Sequence, residues 1–413
     1  MNKKKHIIII GGGQSAAYAA KEIRNIDASS ELTIISDEQT LPYERPPLSK
    51  DYLLNKMSIE QCLFFPESFY YDNKIKVILN TKIKEVDFNE KKIRCENKKI
   101  FTYDKLLIAT GAGNRKLKLN EKDIMPDDNL IYLRNSEESK AIKKKLESSK
   151  NILIIGGGFI GLEIASSSSQ LGKEVTILER GNQLMGRVIP EQVAKLVQDK
   201  HEENGTKIYL NVQIKEIKKI GNSYEVILDT EKKFITDLLV IGVGSLPNTN
   251  TFKDSELKID NGIVTNEYSE TSIKDVFAAG DVSNFYHPFY NMHIRLESYK
   301  HAQNHGINAG KNILGRKTSY SAIPWMWSDQ FELNLQMTGL CNDYETIAQR
   351  GNDFKEGIIY FFLKNRRIIG ACGIGIGGSI GRDIRLAGKL SEQKTKVTKE
   401  ILSDKNNKLN KII

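Results

Sequence analysis

The chain has 413 residues, 39% of them hydrophobic, four cysteines and a formal net charge of +9. At about 100–200 residues per domain this length supports two to four domains. No run approaches the ~18 consecutive apolar residues of a spanning helix, and the isoleucines after "MNKKKH" are too few for the ~7–15-residue apolar core of a signal peptide, so a cytoplasmic protein with no membrane partner is expected.

Cys62, Cys95, Cys341 and Cys372 form no C-x-x-C pair and have no histidine cluster at ligand spacing. That argues against a zinc, iron–sulfur or dithiol centre and for buried thiols. The lysines are spread through the sequence, without the basic stripe and interleaved aromatics of a nucleic-acid site. A diffuse positive field instead attracts an acidic macromolecule.

In chain order, the first element is the β-branched run 7–10, closed by Gly11-Gly12-Gly13-Gln14-Ser15-Ala16 and followed by a helix through Ala20, Ile23 and Arg24. In this G-x-G-x-x-A pattern Gly11 permits a tight turn, Gly13 lets backbone approach a pyrophosphate, and Ala16 lets the helix pack closely on its strand. The diphosphate then rests on the free N–H groups and positive dipole end of the helix. The next strand, "ELTIIS", leads into Asp37 and Glu38, carboxylates placed to accept ribose hydroxyls. "YDKLLIATGA" (103–112) reads as a strand ending in Ala109-Thr110-Gly111, a sharp exit suited to backbone passing under a flavin.

The pattern then recurs. A strand over 152–155 runs into Gly156-Gly157-Gly158-Phe159-Ile160-Gly161 and a helix to Leu171, and "EVTILER" supplies Glu179 at its tip. One glycine motif is weak support; two, each between strand and helix and each followed by an acid, imply two dinucleotides, a flavin held beside a nicotinamide. One turn is assigned to FAD and the other to NADH. A carboxylate at Glu179 repels a 2′-phosphate and favours NADH over NADPH, while Arg180 and Arg187 pull the other way. "SSSS" (166–169) is an odd, low-propensity stretch inside the second helix.

"TDLLVIGVGSLPNT" (236–249), with Gly244, is the counterpart of the 103–112 segment. "KDVFAAGDVS" (274–283) puts Asp281 after a short strand and at an expected helix start, where its carboxylate either accepts a ribityl hydroxyl or caps the helix. Trp325 and Trp327 are the only tryptophans; on a strand they share one face. That face either covers the flavin, with Trp327 nearer the electron outlet, or fills a domain seam. The Lys/Asn-rich tail after 388 is read as a helix or as disorder.

The segments "LPYERPPLSKDYL" (41–53), "ATGA", "GGGFIGLEIA", "FAAGDV", "LESYKHAQNHG" (296–306) and above all "IPWMWSDQFELNLQMTGL" (323–340) carry a resemblance. Up to about Leu390 the chain resembles the FAD-dependent NADH:ferredoxin reductases of ring-hydroxylating dioxygenases and bacterial cytochromes P450, relatives of rubredoxin reductase. The resemblance implies an α/β fold with two Rossmann-like, glutathione-reductase-like domains and a C-terminal α+β domain: FAD over 1–115 and 246–321, NADH over 116–245, and the third domain over 322–413. It implies FAD contacts from Ser15, Asp37, Arg45, Lys50, Ile83 through its backbone, Arg134, Asp281 and Tyr299, the last a departure from the usual residue that a backbone contact would survive.

Lys50 is then a cation able to stabilise a reduced, anionic flavin, and Glu163 its partner or an orienter of the carboxamide. The implied acceptor is an acidic [2Fe-2S] ferredoxin or a rubredoxin, and the enzyme a monomer or homodimer. Disulfide, persulfide and peroxide reductases of this fold carry a cysteine where this chain has Thr40-Leu41-Pro42-Tyr43. The alternative is a flavoprotein of the same fold with another acceptor, similar to monodehydroascorbate reductase or apoptosis-inducing factor.

Overall fold

A computed structural model describes residues 4–412. The chain divides into two compact units: residues up to 44 with 58–113 and 245–322, and residues 45–57 with 114–244 and everything from 323 onward.

The first unit is built on a five-stranded parallel sheet in the order Val276–Ala278, Lys105–Ile108, His6–Ile10, Glu31–Ile35, Ile75–Ile78. Its central strand reads as an unbroken apolar run because both faces are covered. With a period of two, Ile7 and Ile9 meet Ala16, Ala19 and Ala20 of the helix Gln14–Ile26, while Ile8 and Ile10 meet Val86, Ile93 and Val276 on the other side. That helix lies against the helix Tyr299–Ile313 through small residues: a Cβ on Gly306 would fall 2.4 Å from the Ser15 carbonyl oxygen, and one on Gly310 2.8 Å from that of Ala19.

One expectation fails in this unit. No helix starts at Asp281; the residue sits in a turn between the strands Val276–Ala278 and Ser283–His287, closed by the Ser283 N–H donating to the Gly280 carbonyl at 2.9 Å. Gly280, at φ +79°, reverses the chain too sharply for a helical first turn. Asp281 is therefore not a helix cap.

The second unit holds a parallel sheet of the same five-strand layout, Leu130–Tyr132, Leu238–Ile241, Asn151–Ile155, Glu174–Leu178, Lys207–Tyr209, except that its outer strand Leu130–Tyr132 comes first in its chain segment, where the outer strand Val276–Ala278 of the first sheet comes last. It also holds a five-stranded antiparallel sheet running Trp325–Gln330, Leu333–Gly339, Arg367–Ile376, Ile358–Lys364, Thr346–Arg350, with the helix Gly381–Glu392 packed on it. The tail is folded: Val397, Leu402 and Leu409 are buried against this sheet, around a short helix Lys399–Ser403. The Arg350 guanidinium holds it, donating to the carbonyls of Leu402, Asp404, Lys405 and Asn407 and pairing with Asp383 at 3.1 Å. Among the described residues no helix is long and apolar enough to cross a membrane.

Candidate active site

Each parallel sheet ends in a glycine turn built to receive an anion. Gly11 and Gly156 stand at φ +113° and +106°, and a Cβ on them would collide with the carbonyl oxygens of Ala109 and Gly242 at 2.2 and 2.3 Å. This pairs the 103–112 and 236–249 segments as structural counterparts; Gly111 and Gly244 both follow at positive φ. The third small residue is tight in one copy, since a Cβ on Gly161 would lie 2.3 Å from the Gly156 oxygen, whereas Ala16 keeps its methyl in the other. In front of Gly13 and Gly158 a Cβ would meet nothing within 4 Å.

Both helices that follow, Gln14–Ile26 and Phe159–Gln170, have no side-chain cap on their N-terminal N–H groups and no acid in the first turn. The helix Ser136–Ser148 shows the contrast: Asn135 and Glu138 close a capping box over its start. Two helix ends left without a cap, each behind an open glycine, fit two diphosphates.

The strand tips differ between the copies. Glu179 stands at the end of its strand and accepts the Gly157 N–H on Oε2 at 2.7 Å and the Gly181 N–H on Oε1 at 2.6 Å, so it is locked beside the turn. In the first copy that register position is Ser36, against which a Cβ on Gly12 would lie at 2.4 Å. Asp37 comes one residue later and is exposed, and Glu38 accepts the Tyr43 hydroxyl at 2.5 Å. Arg180 and Arg187 are exposed, with the Arg187 guanidinium over Gly244.

Within the second unit the residues expected to act come together. Lys50 lies 3.5 Å from Glu163 Oε1, 3.3 Å from Asp329 Oδ2 and 5.7 Å from the centre of the Trp327 ring. Glu163, 5% exposed on the helix Phe159–Gln170, accepts the hydroxyls of Ser49 (2.5 Å) and Ser328 (2.6 Å). Trp327 Nε1–H donates to Asp329 at 3.0 Å, and Asn334 donates to its other oxygen at 2.6 Å. Trp325 and Trp327 do share a strand face and stack at 5.3 Å, but Trp325 also packs on the core of the antiparallel sheet. The residues that sequence reasoning passed over here are Ser49, Ser328 and Asp329, although "WSDQ" contained two of them.

The odd serine run belongs to the same construction. Ser167 donates to the Ser49 carbonyl (2.8 Å), Ser166 accepts the Phe331 N–H (2.7 Å), and Ser169 donates to the Asn204 carbonyl (2.9 Å). Low helix propensity is the local cost of pinning the 45–57 segment and the Trp325–Gln330 strand to one helix.

The other candidates are placed as follows. The Arg45 guanidinium donates to the Arg134 carbonyl at 2.7 Å, and the Arg134 N–H to Glu138 at 2.6 Å. The Ser15 hydroxyl donates to the Ala302 carbonyl (2.8 Å). Tyr299 opens its helix; its hydroxyl donates to Glu44 at 2.7 Å, and burial with that bond pushes the phenol far above its usual range. Asp281 accepts Arg295 on its carbonyl, Ile83 is a buried strand start, Ile160 is exposed just behind Gly158, and Thr110 donates to the Asn248 carbonyl.

Residues 5–306 match the model of the pyridine nucleotide-disulphide oxidoreductases. The chain belongs to that family. Residues 325–413 match the reductase C-terminal model, so the likeness extends through the tail rather than ending near Leu390. Among curated relatives of this oxidoreductase, the ferredoxin–NAD(+) reductase component of the Burkholderia cepacia anthranilate 1,2-dioxygenase system is 32% identical over 92% of this chain and 93% of its own length. The rubredoxin–NAD(+) reductase of Ectopseudomonas oleovorans is 32% identical over 88% and 94%.

Among solved structures, the ferredoxin reductase for the CYP199A2 system from Rhodopseudomonas palustris superposes at TM-score 0.92 with 29% identity, covering 99% of both chains. The covalent putidaredoxin reductase–putidaredoxin complex gives 0.93 with 25% identity, covering 100% of this chain and 98% of that one. The family name speaks of disulphides, yet the four cysteines of this oxidoreductase are free and buried, and burial pushes the Cys341 thiol up to about 12.

Proposed function

We propose that the chain is an NADH-dependent flavoprotein reductase that delivers electrons singly to a ferredoxin or rubredoxin serving an oxygenase or cytochrome P450. The observation that carries this is the pair of glycine turns with no side-chain cap and open space in front, one per parallel sheet. FAD supplies the chemistry, two-electron reduction by a hydride and one-electron release.

The chain's part is binding, orientation and charge. The turn at 11–16 and Asp37 are assigned to FAD, and the turn at 156–161 with Glu179 to NADH. Glu179 keeps its carboxylate at the strand tip because two backbone N–H groups hold it there, which disfavours a 2′-phosphate. Lys50 supplies a fixed cation where negative charge develops, and Glu163, Asp329 and Trp327 hold it in place. No side-chain nucleophile is required.

Of the two carriers we favour an acidic [2Fe-2S] ferredoxin, since the chain carries +9 and opposite charge speeds encounter. The domain bounds we assign are 1–115 with 246–321 for FAD, 116–245 for NADH and 322–413 for the third domain, and the compartment is the cytoplasm. The test is the visible spectrum of the purified protein with added NADH, then with a [2Fe-2S] ferredoxin or a rubredoxin. A flavin band that bleaches with NADH and recovers as the iron protein is reduced supports the reading. Bleaching that neither iron protein reverses, with oxygen excluded, refutes the acceptor.

A further inference from the structure

The hydrogen bonds that reach Glu163 can be read in only one direction. An ionised carboxylate only accepts, so Ser49 and Ser328 both give it their hydroxyl protons. Ser328, having donated, must accept from Gln330 Nε2, 3.1 Å away. That turns the amide oxygen of Gln330 toward His201 Nε2 at 2.9 Å, and an oxygen there requires the proton to sit on Nε2. His201 Nδ1 should then be a bare lone pair, and it is buried with no hydrogen-bond partner, where a bare lone pair is less costly than an N–H lacking an acceptor. His201, Ser328 and Gln330 are 0%, 0% and 5% exposed.

We propose that His201 and Gln330 are positioning residues: they fix the direction of the Ser328 hydroxyl, which holds the Glu163 carboxylate on Lys50. This rests on the reading of Lys50 as the cation that serves the flavin. Neither residue touches Lys50, and His201 comes from a separate helix, Glu191–Glu203, where its ring is held edge-on by Phe331 at 5.0 Å. Without the Gln330 donor, Ser328 is free to rotate among its staggered wells and Glu163 loses a fixed partner. The charged groups around the chain of bonds are Lys50 and Asp329 at the Glu163 end and the Lys200–Glu332 pair beside His201. Burial pushes the His201 imidazole down to about 4, so it stays neutral, as the chain of bonds requires.

The test uses holoenzyme and the variants Gln330→Leu, His201→Leu and His201→Gln, the last of which supplies an amide N–H in place of Nε2–H. Nitrogen-15 spectra of the histidines should show His201 as the neutral Nε2–H tautomer from pH 8 to 5 in the native protein. Flavin bleaching by NADH should slow about tenfold in both leucine variants, at unchanged FAD content and unchanged KM for NADH, and His201→Gln should restore it. An Nδ1–H tautomer, native rates in both leucine variants, or a glutamine variant as slow as His201→Leu would overturn the proposal. Failure of the native protein to bleach with NADH refutes the functional reading instead, and the tautomer still decides whether the chain of bonds exists.

Discussion

Replacing Lys50 by Met separates what the lysine does for the fold from the role proposed for it at the flavin. At 3.5 Å from Glu163 and 3.3 Å from Asp329, with its side chain 14% exposed, Lys50 gains about 5 kcal/mol of gross Coulomb energy from each carboxylate at an effective dielectric near 20. The Asp329 side chain is 45% exposed, so solvent screens that part, and only Glu163 is left as a buried charge lacking its cation. Removing one partner of a buried pair costs about 3–5 kcal/mol, and the two serine hydroxyls on Glu163 put the expected loss near 3.

At about 2–4 °C per kcal/mol for a unit of this size, Lys50→Met should melt roughly 6–12 °C lower. NADH-driven bleaching should slow about 100–1,000-fold, the effect of losing one preorganised group where charge develops. Adding Glu163→Gln removes the uncompensated carboxylate. The double variant should regain most of the melting temperature and none of the rate. Stopped-flow bleaching beside thermal melts of all three proteins reads both quantities. Recovery of the rate in the double variant would refute a direct role for Lys50, since its task would then be only to neutralise Glu163.

Glu179→Ala frees the Gly157 and Gly181 N–H groups and removes the charge that opposes a 2′-phosphate; kcat/KM should fall at least tenfold for NADH and rise for NADPH, and an unchanged coenzyme ratio contradicts the assignment. Acid should destabilise the fold. Burial pushes His201 down to about 4 and His301 to about 3, whereas an unfolded histidine takes its proton near 6.5, so the contribution is intact above that pH and falls below it by about 1.4 kcal/mol per unit for each histidine, about 2 kcal/mol each at pH 5. A melting temperature that is flat from pH 7 to 5 would refute this. Turnover through ferredoxin should fall between 50 and 300 mM salt while reduction of a neutral dye does not; equal loss would remove long-range charge from docking.

Much of the fold was legible because parallel strands covered on both faces announce themselves as unbroken apolar runs, as at 7–10 and 152–155, and because a glycine turn between strand and helix has few other uses. Lys50, Glu163 and Trp327 were singled out with the help of the resemblance, and the structure brings the three together. What stayed hidden depends on contacts between distant segments. Ser49, Ser328, Gln330 and His201 are ordinary polar residues in sequence and become one hydrogen-bonded chain only when the 45–57 segment and the Trp325–Gln330 strand meet the helices Phe159–Gln170 and Glu191–Glu203.

Register was hidden too: "ELTIIS" and "EVTILE" look alike, yet the position held by Glu179 is Ser36 in the first copy. The Asp281 turn was misjudged because Asp after Gly suits a helix cap, and only the φ of Gly280 shows that the chain returns at once to a strand. The Lys-rich tail was read as a helix or as disorder; it holds the short helix Lys399–Ser403, and its apolar residues Val397, Leu402 and Leu409 reach one core.

The account turns on whether two diphosphate-bearing cofactors are held by one chain and exchange electrons. Anaerobic titration of the purified yellow protein with NADH measures this directly. One equivalent of NADH per flavin should abolish the flavin absorbance, in a protein whose Gly13→Asp variant binds no flavin and whose Gly158→Asp variant keeps its flavin but no longer bleaches. A colourless protein that takes up no added FAD, or a Gly158→Asp variant that bleaches as fast as the native protein, would contradict it.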